Sequence, residues 1–77
     1  MDPERRQEMA RAAVIGMHAD GATAADAVNA LTEALGMLMA TISPDAAGLE
    51  RNIQQFGEQM ERFARVYWAE RQNLPKP

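Results

Sequence analysis

Large apolar side chains recur at helical spacing through the middle and end of this chain, and a single proline-containing corner separates the two runs. Within residues 23 to 43, Val28, Leu31, Leu35, Leu38 and Ile42 follow steps of three, four, three and four. That spacing lays five bulky groups on one stripe of an α-helix. Beyond Ser43-Pro44-Asp45, the residues Leu49, Ile53, Phe56, Met60, Phe63 and Tyr67 step by four, three, four, three and four. A seam of that kind is heptad-like. Two apolar stripes joined by so short a link must fold back on one another, so the sequence predicts an antiparallel helical hairpin.

Local signals set the expected boundaries. Asp2-Pro3-Glu4 supplies an N-cap, a proline at the first helical position and a first-turn acid, predicting a first helix over 3–18. Its apolar side is Met9, Ala13 and Met17, and Gly16 weakens its last turns. Asp20-Gly21 is a turn dipeptide. Thr23 with Asp26 then forms a capping-box-like pair at the start of a central helix over 23–42. Ser43-Pro44-Asp45 reads as the next N-cap, first position and acid, so the third helix is predicted over 44–73 with an extended tail over 74–77. Behind the central seam, Ala25, Asn29, Thr32, Gly36 and Ala40 form a ridge of small residues onto which the first helix is expected to dock. The expected fold class is therefore all-α: a single three-helix domain over 1–77, dimerising into a helical bundle.

Dimerisation is expected from length. At 1.5 Å per residue the third helix is roughly 44 Å long and the central one roughly 30 Å. If the hairpin closes near Ser43, Thr23 lies level with Phe63 or Ala64. Val66, Tyr67, Trp68 and Leu74 then project past the central helix and need a cover, supplied in part by the first helix and the 18–22 turn or else by a second copy of the chain. A chain of 77 residues buries only about 60% of the surface it exposes when unfolded. It contains no cysteine for a disulfide staple, so self-association is the expected source of further stability. Met37 and Met39, beside the central seam, add an adaptable contact surface.

Charge narrows the functional classes. The net charge is −3, and residues 12 to 50 hold five acids, Asp20, Asp26, Glu33, Asp45 and Glu50, with no lysine or arginine. Residues 51 to 77 hold three acids and five bases. The arginines are interleaved with acids, and acid-before-base pairs at i, i+4 (Glu58 with Arg62, Glu61 with Arg65) account for several of them. No unopposed basic stripe survives, which argues against direct nucleic-acid binding. A helix-turn-helix reading places Asp45, Glu50 and Arg51 where base contacts belong, a poor recognition surface.

Catalytic and metal chemistry find no foothold in the sequence. His18 is the sole histidine, and three or four ligands are needed to hold a metal. Ser43 serves better as a helix cap than as a nucleophile without a positioned base. No catalytic residue, cofactor or metal site is expected. No apolar run is long enough for a membrane span, and the mixed-charge start MDPERRQEMAR is unlike a secretory signal, so a cytoplasmic location is expected.

The sequence thus predicts a non-enzymatic protein–protein interaction or adaptor module that pairs with itself and with a protein partner. The interface residues expected are Phe63, Val66, Tyr67, Trp68, Leu74, Met37 and Met39. Trp68 lies about 100° from the seam on the helical wheel, where it serves either as a binding anchor or as packing within the fold or a dimer. Two rivals belong to other classes. One is an acidic, phage-type inhibitor that occludes a nucleic-acid-binding protein through Asp20, Asp26, Glu33, Asp45 and Glu50. The other is a small DNA-binding regulator whose basic face emerges only on assembly.

Overall fold

The computed structural model describes residues 1–73; the expected tail and Leu74 lie outside the described residues. The chain is all-α: α1 (Pro3–Ala19), α2 (Ala24–Ile42) and α3 (Ala46–Arg71), with no strand among the described residues. It divides into two compact units, Met1–Met37 and Leu38–Pro77, the boundary falling within α2.

In the first unit, both ends of α1 are closed by local hydrogen bonds. Asp2 caps α1, its carboxylate accepting from the Glu4 amide at 2.9 Å, and Pro3 occupies the first turn, where its missing N–H costs nothing. At the other end, the Gly21 amide donates to His18 O and the Ala22 amide to Met17 O, each at 3.0 Å. These two bonds make a Schellman motif, which requires a left-handed residue after the cap. Gly21 supplies it at φ +87°.

The capping box at the start of α2 is reciprocal. The Thr23 amide donates to the Asp26 carboxylate, and the Asp26 amide donates to Thr23 Oγ1, both at 3.1 Å. The Thr23 amide first, and the Thr23 hydroxyl second, hold the Asp26 carboxyl below its ordinary value of 3.8. A carboxyl depressed on folding contributes stability that is present above the unfolded value and lost as pH falls through the folded one. Acidification below 3.8 is therefore expected to cost wild-type α2 more helical far-UV circular dichroism than it costs Asp26→Ala. Identical acid titrations of the two proteins would remove this role.

The covered sides of these helices differ from those expected. On α1, Ala13 and Met17 are half-buried but Met9 is exposed. On α2 the half-buried residues are Ala27, Leu35 and Met39, whereas Val28, Leu38 and Ile42 are 59–67% exposed. The small ridge expected to receive α1 is exposed at Ala25, Asn29, Thr32, Gly36 and Ala40. Nothing lies within 4 Å of where a Gly36 side chain would begin. That docking is therefore not seen. Small side chains permit close approach but offer little apolar area to drive it.

In the second unit, the start of α3 also departs from the sequence reading. Asp45, not Ser43, is the N-cap, and the helix begins at Ala46. Asp45 sits in extended backbone and accepts from the Gly48 amide at 2.7 Å, the bond expected of a strong cap. Ser43 still belongs to the end of α2: its amide and its hydroxyl both donate to Met39 O. The same hydroxyl accepts from Asn52 Nδ2 at 2.8 Å, tying the corner to the second turn of α3. Gly48 is buried against the corner, with Pro44 Cδ only 2.9 Å from where its Cβ would lie. At its far end α3 stops at Arg71 rather than at residue 73, because Asn73 adopts φ +57°, a left-handed conformation that helix ends tolerate in asparagine.

Candidate interaction surface

The seam predicted on α3 is split along its length. Leu49 and Phe56 are half-buried, while Ile53, Met60 and Tyr67 are 48%, 51% and 43% exposed. Phe63 lies between the two groups at 39%. In heptad terms one flank of the seam is covered and the other faces solvent. Val66, expected to project past the central helix and to need a cover, is half-buried in the single chain, and Ala69 is buried. Trp68 is 58% exposed. The result is an apolar surface on α3 centred on Met60 and Tyr67, with Trp68 at its edge.

The other expected contact residues divide in the same way, with Met37 exposed and Met39 half-buried. Of the carboxylates assigned to an electrostatic surface, Asp26 and Asp45 are engaged as caps to backbone amides. Asp20 is the C-cap residue of α1, and Glu33 and Glu50 lie exposed on their helices. Capping neutralises none of these charges, but it fixes two of them in direction.

On the solvent side of α3, Arg65 Nη2 pairs with Glu61 Oε1 at 2.8 Å, both groups being well exposed. Such a pair contributes about 0.3–0.5 kcal/mol. Glu58, Glu61, Arg62, Arg65 and Val66 line a shallow depression there, and Arg51, Gln54, Gln55 and Glu58 line another. Opposite charges alternate along both, so neither presents a field of one sign to a ligand.

His18 is exposed in the last turn of α1. Among the described residues no group of three or more histidines, cysteines or carboxylates is placed to hold a metal. None of the described helices is long and apolar enough to cross a membrane.

Sequence reasoning overlooked Asn52 and Gly48, which together fasten the corner. Asn52 had a legible signal, a polar residue on the flank of an apolar seam; Gly48 had one in its spacing from Asp45. No family model, curated protein or solved structure matches this chain.

Proposed function

We propose that this chain is a small non-enzymatic interaction or adaptor module that acts as a homo-oligomer, its α2 and α3 closing as an antiparallel hairpin that pairs into a helical bundle. One observation carries the reading: among the described residues no large side chain is fully buried. Ordering a residue costs roughly 1–2 kcal/mol of backbone entropy, and helices are held mainly by burying an apolar face. Val28, Leu38 and Ile42 on α2, and Ile53, Met60 and Trp68 on α3, are each about half exposed or more. Half of a bundle has this pattern, because its core positions meet their neighbours only when the second half arrives. The Ser43–Asn52 bond at the corner supports the hairpin. A cytoplasmic location belongs to the same proposal.

The test is the mass in solution. A dimer or larger assembly is expected, and a strictly monomeric protein with cooperative unfolding would overturn the reading. Once assembled, the module offers the exposed carboxylates Asp20, Asp26, Glu33 and Asp45 to a foreign protein.

The second reading, an acidic inhibitor of a nucleic-acid-binding protein, is favoured by the exposed carboxylates Asp20, Asp26, Glu33, Asp45 and Glu50 in a stretch without bases. It predicts binding to a basic partner that weakens steeply as salt rises.

A further inference from the structure

One stripe of α3 is exposed along the length of the helix. The exposed large residues Ile53, Met60 and Tyr67 alternate with exposed Gly57 and Ala64 on a single stripe. Glu50 extends that stripe toward the start of the helix and Arg71 toward its end, both exposed and neither ion-paired among the described residues. Reversed in direction, the stripe matches itself. About a point between Met60 and Glu61, Glu50 mirrors Arg71, Gly57 mirrors Ala64, and Ile53 falls beside the mirror of Tyr67.

We infer that the occupant of this face is α3 of a second copy, running antiparallel about a two-fold axis near Met60. The inference rests on the homo-oligomeric reading above and adds its surface and direction. In this arrangement Glu50 of each copy reaches Arg71 of the other, twice by symmetry. A parallel pair sets Glu50 against Glu50 and Arg71 against Arg71, so charge selects the antiparallel form.

Area supports the same occupant. Ile53, Met60, Phe63, Tyr67 and Trp68 are 39–58% exposed. Taking about 200 Å² for a full side chain of this size, they leave roughly 450–500 Å² of apolar surface per copy. Two copies supply about 900–1,000 Å², the nonpolar share of a stable interface of about 1,600 Å². Gly57 is accounted for as well. A glycine inside a helix is unfavourable relative to alanine, and nothing lies within 4 Å of where its Cβ would be. The chain's own packing gives no reason for it, whereas a closely approaching second helix does.

The experiment is sedimentation equilibrium at low salt on the full chain, with far-UV circular dichroism confirming that each variant is helical. Glu50→Arg and Arg71→Glu are each expected to weaken the dimer about tenfold or more, since each replaces two attractions by two repulsions. Combining both changes in one chain restores the dimer, and so does mixing equal amounts of the two single variants. Gly57→Leu is expected to raise helicity while weakening association, opposite signs that a purely structural glycine does not give. A wild-type dimer indifferent to the single charge reversals overturns this interface and leaves the homo-oligomeric reading standing. A wild-type monomer overturns both.

Discussion

Replacing Phe63 by alanine is expected to destabilise the folded protein by about 3–5 kcal/mol, the range for truncating a buried phenylalanine. In the single chain the ring is 39% exposed, between the covered and open flanks of the α3 seam. A ring in that position loses only part of its transfer free energy if the chain folds alone. The full loss appears only if a second copy completes the enclosure. Urea denaturation at several protein concentrations separates the two cases, because an assembly becomes more stable as concentration rises. A loss under about 0.5 kcal/mol, the scale of ordinary surface substitutions, would mean that neither flank of the seam is core.

Gly48→Ala is the second large effect, and its sign is the informative part. Alanine is a better helix former than glycine by roughly 0.5–1 kcal/mol, so a net gain is the naive expectation. Here the new Cβ lies 2.9 Å from Pro44 Cδ and 3.2 Å from Asp45 Oδ1. A proline ring cannot swing aside like the end of a flexible side chain. Either the corner shifts or the Asp45 cap opens, and overpacking of this kind costs about 1–3 kcal/mol. Gly36→Ala is the control, since nothing lies within 4 Å of its Cβ position. Thermal unfolding of the pair is expected to show Gly48→Ala below wild type and Gly36→Ala level with it or above. If both variants are stabilised, Gly48 does not hold the corner.

Features set by neighbours in sequence were legible. Asp2 with Pro3, and Thr23 with Asp26, announced the starts of α1 and α2 because a cap is made by residues two or three apart. Asp20-Gly21 likewise announced a turn, and Gly21 supplies the left-handed residue there. The start of α3 was misread because Ser43-Pro44 and Asp45 both satisfy helix-start rules. What decides between them is that Ser43 remains bonded to Met39 O and to Asn52, a choice made by groups outside the motif.

The covered faces were less legible than the helices. Spacing and size mark Val28, Leu38 and Ile42 as one stripe, yet these face solvent while Ala27, Leu35 and Met39 are half-buried. Periodicity fixes which residues share a side and says nothing of which side another element reaches first. The α3 seam shows the same limit: its spacing was right, and its division into a covered flank and an open one was invisible without coordinates. The contrast between the Glu50 and Arg71 ends was present in the sequence but acquires meaning only once the residues between them are seen to be exposed.

The helices leave their bulky groups open in the single chain, and the proposed assembly requires another copy to cover them. Light scattering coupled to size-exclusion chromatography measures this most directly. The prediction is a mass at least twice the 8.5 kDa of one chain, falling toward that of one chain on dilution or on charge reversal at Glu50 or Arg71. A mass of 8.5 kDa at every concentration, with sharp unfolding that does not depend on concentration, would contradict it.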